Sequence, residues 1–158
     1  MKSKIQVFDT AIGRLGLVAA DDGKRLREIR LPNDLGDDPS AHFSVQPGQA
    51  ATAEALQAWA SGELQELPLA WLDMDDFTDF RRRVSLAAYA IPRGETRCYG
   101  ELAVAVNSPR AARAVGRVMA TNPFPLVIPC HRVLGTTGLH GFGGGLALKA
   151  RLLALESA

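Results

Sequence analysis

Cys130 and His131 are neighbours in the run Ile128-Pro129-Cys130-His131-Arg132-Val133. A thiol reacts as its thiolate, and a nearby imidazole is the commonest device for lowering its pKa or taking its proton. Asn122-Pro123-Phe124-Pro125 leads into the pair, and Gly141-Phe142-Gly143-Gly144-Gly145 follows it. The prolines withhold backbone donors, so an irregular, rigidly posed loop is expected here. The competing reading is a buried structural cysteine with a chance histidine beside it. The proline lead and the glycine follower favour the reactive one.

The 158 residues suit one domain, or one domain with a small appendage. A hydrophobic content of 47% is enough for a core, and no apolar run approaches the roughly 20 residues of a membrane span. Met1-Lys2-Ser3-Lys4 leads into strand-like sequence and not into a signal-peptide core. The two cysteines, Cys98 and Cys130, have neither metal-ligand spacing nor a disulfide framework, which fits a reducing cytoplasm. The net charge of +1 conceals an asymmetry. Residues 1–76 carry 7 Lys/Arg against 13 Asp/Glu, a net of −6; residues 77–158 carry 11 against 4, a net of +7. A basic half with a reactive-looking cysteine suggests a polyanionic partner, although two halves of opposite sign could also simply attract each other.

These residues need elements to hold them. Residues 4–31 read as three strands in an antiparallel meander, with turns at Ala11-Ile12-Gly13 and Asp21-Asp22-Gly23. Residues 32–48 read as an exposed loop. Gln49 to Ala60 reads as a helix with Leu56 and Trp59 inward, ended by Gly62. Leu67-Pro68-Leu69 suggests a short edge strand. The acidic run Asp73-Met74-Asp75-Asp76 marks a boundary between domains 1–76 and 77–158. A helix from Asp76 or Thr78 to Ala90 is expected to bury Phe77, Phe80, Val84 and Ala88. Its Arg81-Arg82-Arg83 run reads equally as a solvated charge run or as a source of DNA contacts.

After a turn at Ile91-Pro92-Arg93-Gly94-Glu95, Tyr99 to Val106 reads as a short helix. Asn107-Ser108-Pro109 breaks it and starts another, with Ser108 as N-cap and Pro109 at the first helical position. This is a helix-turn-helix pattern. On the second helix Arg110, Arg113 and Arg117 share one face, and Ala111, Ala112, Val115, Val118 and Met119 gather opposite. Its alanines and Gly116 keep it slim enough for a groove to approach. Nucleic-acid binding is favoured over a merely solvated arginine face. Leu146 to Leu155 reads as a last helix with Leu148, Leu152 and Leu155 inward, ending in Glu156.

Three stretches carry a family resemblance: Gly94-Glu95-Thr96-Arg97-Cys98-Tyr99-Gly100-Glu101-Leu102-Ala103, Ala111-Ala112-Arg113-Ala114-Val115-Gly116, and Asn122-Pro123 with Pro129-Cys130-His131-Arg132-Val133. Together they resemble the O6-alkylguanine-DNA alkyltransferases. The likeness continues through Gly144-Gly145-Leu146, Lys149, Leu152-Leu153 and Glu156. It is dense over 77–158 and looser at Thr10-Ala11-Ile12-Gly13 and Leu15.

The resemblance implies an α+β fold: a small N-terminal antiparallel sheet with a helix (ribonuclease H-like), then a mostly helical domain with a helix-turn-helix. It implies single-use repair of duplex DNA containing O6-alkylguanine, and also O4-alkylthymine, by base flipping and alkyl transfer to Cys130. No cofactor, membrane or obligate protein partner is implied, and the protein is expected to be a monomer, associated with the nucleoid in a prokaryote. In the family's pattern Cys130 is the nucleophile and His131 draws its proton through a water. Glu156 orients and charge-stabilises the imidazole, and Asn122 pins the turn. Arg113 matches the finger residue that fills the vacated stack, on a helix that enters the minor groove with Ala112, Arg110 and Arg117. Tyr99 matches the tyrosine that crowds the 3′ phosphate and hydrogen-bonds the flipped base. The pocket is expected from Tyr99, Met119, Pro125, Val133, Phe142, Gly143 and Gly144.

Phe142 and Gly143 depart from the usual tyrosine and serine or alanine, which bears on substrate range. Ser85 stands where a tryptophan is common. Some relatives bear zinc ligands in the N-terminal domain; this chain has no cysteine there, so no metal is expected. The rival readings are a non-catalytic lesion-binding relative, a plain helix-turn-helix module and a cysteine hydrolase. Cys130, His131 and Glu156 together argue against the first two, and one alkylation per molecule would exclude the third.

Overall fold

A computed structural model describes residues 5–35, 45–135 and 145–157, and the backbone of 41–42. The chain divides into two compact units, Met1–Met74 and Asp75–Ala158.

In the first unit, β1 (Ile5–Thr10), β2 (Gly13–Ala19) and β3 (Leu26–Arg30) form the expected antiparallel meander, with Val7 opposite Gly16 and Leu17 opposite Ile29. The hairpin turn is locked by Thr10, whose Oγ1 accepts from Ile12 N at 3.2 Å and donates to Gly13 O at 2.6 Å. Gly16 is required by close packing: a Cβ there would lie 2.7 Å from Leu35 Cδ2 and 2.8 Å from Ile5 Cγ2. Two elements fall within the stretch expected to be an exposed loop. A helical turn α1 (Pro32–Leu35) buries Leu35, and β4 (Ala41–His42) pairs parallel to β1, Ile5 opposite Ala41. Helix α2 (Ala50–Ala60) buries Leu56 and Trp59. The expected edge strand at 67–69 is absent. Leu69–Trp71 is a 3-10 turn, which Pro68 can lead without losing a donor, and strand-like contact is confined to a single bridge between Leu26 and Leu72.

The second unit begins with α3 (Asp79–Tyr89), capped by Thr78, whose side chain accepts from Arg81 N. Val84 and Ala88 are fully buried, which for Val84 stabilises the unit by about 1.5–3 kcal/mol. Phe77 and Phe80, expected inside, are only half-buried; Ser85 is buried instead. After a turn closed at Gly94 come β5 (Arg97–Cys98) and α4 (Tyr99–Ala105), whose first turn is tied by Cys98 N donating to Glu101 Oε1 at 3.1 Å.

The connection to α5 (Ala112–Ala120) differs from the expected one. Ser108 and Pro109 lie in a turn closed by Ala111 N donating to Ser108 O, with Asn107 left-handed at φ +60°, so the helix starts three residues late. Asn is among the residues that tolerate that conformation, and the tight turn fits it better than a proline-started helix would. Arg110 therefore precedes the helix instead of sitting on it.

Strand β6 (Val133–Leu134) pairs parallel with β5, and α6 (Leu146–Ser157) closes the unit. In α6 Leu152 is buried as expected, but Lys149 and Glu156 are buried in place of the expected Leu148 and Leu155, which are half-buried. The inward face is turned by one residue, because two charged side chains have partners inside. No helix among the described residues is long and apolar enough to cross a membrane.

Candidate active site

The site is built on the turn between α5 and β6. Asn122 closes that turn: its Nδ2 donates to Ile128 O at 3.0 Å and its Oδ1 accepts from Phe124 N at 3.0 Å. Ile128 N donates to Phe124 O at 2.9 Å. Inside the loop Leu126 is left-handed at φ +77° and buried. Such a conformation costs about 1–2 kcal/mol for a non-glycine residue, so it persists only because the surrounding bonds over-determine it. Cys130 follows at the start of a 3-10 turn, with Cys130 N donating to Ile128 O at 2.7 Å and Arg132 N to Pro129 O at 2.9 Å. Val133 N in turn donates to Cys130 O and closes the 3-10 turn, which Pro129 leads without an N–H of its own.

Behind Cys130 lies a buried charge cluster. His131 is 0% exposed and its Nε2 meets Glu156 Oε1 at 2.8 Å. Burial pushes the Glu156 carboxyl up, but hydrogen bonds from His131 and Arg132, with their charges, outweigh it and hold the pKa at about 2. An ionised acceptor at Oε1 requires the proton on Nε2, which leaves the basic lone pair of neutral His131 on Nδ1. Burial pushes the His131 pKa down against the pull of Glu156. Burial likewise pushes the Cys130 thiol up, opposed by a hydrogen bond from Asn122 and by the charge of Lys149. The resting site is thus a thiol, a neutral imidazole and a carboxylate, held ready for one proton transfer.

Two members of this cluster were not among the expected site residues. Arg132 sends Nε to both oxygens of Glu156 at 3.0 Å, and Nη2 donates to Oε2. Its Nη1 donates to Ile91 O at 2.8 Å. Lys149 is 1% exposed and donates from Nζ to Val133 O at 2.9 Å. Burial pushes its pKa down while the charge of Cys130 pulls it up. Residues 149 and 152 share a helix face with Glu156, so placing that carboxylate inside would have found the lysine.

Tyr99 is brought to the same place by the β5–β6 pairing, which sets Arg97 beside Val133 and Cys98 beside Leu134. It is half-buried, and its pKa is raised by burial and then by the charge of Cys130. Gly116 on α5 faces the Tyr99 ring, where a Cβ would stand 3.8 Å from it, an ordinary contact distance. Met119, Pro125 and Val133 are buried; Phe142, Gly143 and Gly144 lie outside the described residues. Arg113 and Arg117 are exposed on α5, one turn apart, with exposed Arg110 in the preceding turn and Ala112 at the helix start. In the Arg81-Arg82-Arg83 run, two arginines have internal tasks: Arg81 donates to Thr121 O, and Arg83 Nη1 to Val106 O at 2.8 Å.

Comparison with known proteins bears on this geometry. Residues 79–158 match the family model described as 6-O-methylguanine DNA methyltransferase, DNA binding domain. A methylated-DNA–protein-cysteine methyltransferase of Mycobacterium bovis is 41% identical over 153 residues, covering 96% of this chain and 90% of its own length. One of the same name from Methanosarcina barkeri is 46% identical over 151 residues, covering 95% and 94%. The fold is similar to that of Mycobacterium tuberculosis OGT in complex with DNA, at TM-score 0.81 and 40% identity, covering 98% of this chain and 92% of that one.

Proposed function

The chain belongs to the O6-methylguanine-DNA methyltransferase family, and on that premise we propose how its own residues divide the work of repair. It is a methylated-DNA–protein-cysteine methyltransferase, acting by direct reversal: the alkyl group leaves DNA and stays on the protein. The substrate is O6-alkylguanine in duplex DNA, with O4-alkylthymine as a second lesion. The protein acts as a monomer in the cytoplasm, on the nucleoid.

Helix α5 enters the minor groove, where Arg110 and Arg117 neutralise phosphates and Ala112 allows close approach. A base inside the stack cannot reach a thiol that is 6% exposed, so the lesion is rotated out, and Arg113 fills its place. Tyr99 crowds the 3′ phosphate and hydrogen-bonds the extruded base, which enters a pocket bounded by Met119, Pro125 and Val133.

His131 Nδ1 takes the Cys130 proton through a water, and Glu156 stabilises the resulting imidazolium. The thiolate attacks the alkyl carbon in line: the S–C bond forms, the C–O6 bond breaks, and its electron pair stays with guanine, which takes up a proton. The thioether has no route back to thiol, so each molecule acts once. The observation that carries this reading is the 2.8 Å Glu156–His131 bond behind Cys130.

The test is incubation with duplex DNA bearing O6-methylguanine, followed by mass measurement of the peptide holding Cys130. One methyl per molecule is expected; repeated turnover, or no gain on that peptide, overturns the reading.

A further inference from the structure

We propose that Arg81 is a positioning residue that sets the reactivity of Cys130 through Asn122. The proposal rests on Cys130 being the alkyl acceptor. Arg81 approaches the Asn122 turn by two routes. Its Nη2 donates to Thr121 O, with Thr121 Oγ1 at 3.4 Å. That carbonyl belongs to the peptide unit whose nitrogen is Asn122 N, and it stands at the C-terminal end of α5. Carbonyls there have no partner within the helix, and a cation opposes the negative end of the helix dipole.

The second route runs through rings. The Arg81 guanidinium lies 4.7 Å from the centroid of Phe77, and Phe77 lies 5.9 Å from Phe124. Phe124 is fully buried, and its N–H is the donor held by Asn122 Oδ1. Thr78, which caps Arg81 N, fixes the start of the helix that carries the guanidinium. One side chain on α3 thereby holds the peptide before Asn122 and braces the residue that Asn122 grips.

Asn122 holds a turn that contains the left-handed Leu126, and the Ile128 carbonyl that accepts from its Nδ2 also accepts from Cys130 N at 2.7 Å. Rotation of the Thr121–Asn122 peptide re-aims both the Nδ2 and the Oδ1 of that side chain. The same carbonyl ends α5, so the DNA-facing helix and the thiol turn share this one anchor.

The experiment compares the parent, Arg81→Ala, Asn122→Ala and the double variant. Cys130 reactivity is read as the pH dependence of its alkylation by iodoacetamide, followed by mass on the Cys130 peptide. Single-turnover transfer from O6-methylguanine DNA and thermal midpoints are measured alongside. Arg81→Ala is expected to move the pH midpoint upward and to slow transfer about tenfold, with little further effect in the Asn122→Ala background, as coupled neighbours behave. Arg81→Lys, which can donate to Thr121 O but cannot stack as a plane, is expected to restore part of the loss. Additive losses from Arg81→Ala and Asn122→Ala, or a changed thermal midpoint with an unchanged pH midpoint, overturn the proposal. Failure of the parent to transfer at all would instead overturn the assignment of Cys130.

Discussion

Arg132 and Glu156 form a two-point buried ion pair, with Arg132 Nε 3.0 Å from each carboxylate oxygen, while the same carboxylate accepts from His131. One anion therefore serves two cations at the moment His131 is protonated. Glu156→Gln should leave Arg132 buried without its counter-charge, a change that typically costs about 3–5 kcal/mol. It should also lower the basicity of His131, so Cys130 yields its proton only at higher pH. Slower transfer that recovers partly as pH rises is expected; a pH–rate profile that overlays the parent would remove this carboxylate from the reaction.

Lys149 offers a separate handle on the thiol. Its charge lowers the Cys130 pKa, so Lys149→Met should shift the pH midpoint of Cys130 alkylation upward and leave Val133 O without that donor. Lys149→Arg keeps the charge but is too large for a site that is 1% exposed, and is expected to destabilise the fold. An unchanged midpoint in a folded Lys149→Met protein would show that its charge is not felt at the sulfur.

Acid should unfold the protein more than its net charge suggests. Glu156 titrates at about 2 in the fold against an ordinary 4.5. The unfolded chain thus binds the proton first, and on the order of 3 kcal/mol of stability present at neutral pH is lost as pH falls from 4.5 towards 2. His131 acts in the same direction: burial depresses its pKa, so below its ordinary 6.5 the unfolded state gains a proton that the fold resists. Denaturant unfolding at pH 7, 5 and 3 should show this loss, and Glu156→Gln should flatten the part below pH 4.5.

Arg113→Ala should slow repair of duplex DNA far more than reaction with a free O6-alkylated guanine base. Extrusion from the stack costs a few kcal/mol, and only the duplex requires it. Equal losses on both substrates would place Arg113 elsewhere. Arg117→Ala should weaken binding uniformly across sequences and lower the salt slope by about 1, as for a phosphate contact.

Cys130→Ser should bind alkylated DNA without accepting the alkyl group, since the basic face lies on α5 and not on the Cys130 turn. Cys98→Ser should remain active, because Cys98 sits at the end of β5 with its backbone tied to Glu101. Transfer by Cys130→Ser at the parent rate would show another acceptor.

Much of this protein follows from local chemistry in the chain. Alternation and glycine turns specify the β1–β3 meander, helical spacing places Leu56 and Trp59 inward, and Thr78 starts α3 where a cap is needed. The Pro-Cys-His-Arg-Val run marks the reactive residue because prolines and a neighbouring imidazole constrain it within a few positions. Local rules did not decide where α5 begins, since Ser108 and Pro109 satisfy a helix start and a tight turn equally well and packing chose the turn. They did not reveal β4, whose two residues become a strand only by pairing with β1. They also could not orient α6. Its leucines offer an apolar face on one side, but Lys149 and Glu156 are drawn inward by the Val133 carbonyl and by the His131 and Arg132 side chains. Those partners lie 16, 25 and 24 residues away in sequence, and burying a charge is tolerable only once such partners are in place. The identity of the acceptor is therefore written in one short run of residues, while the network that tunes it exists only after the chain has folded.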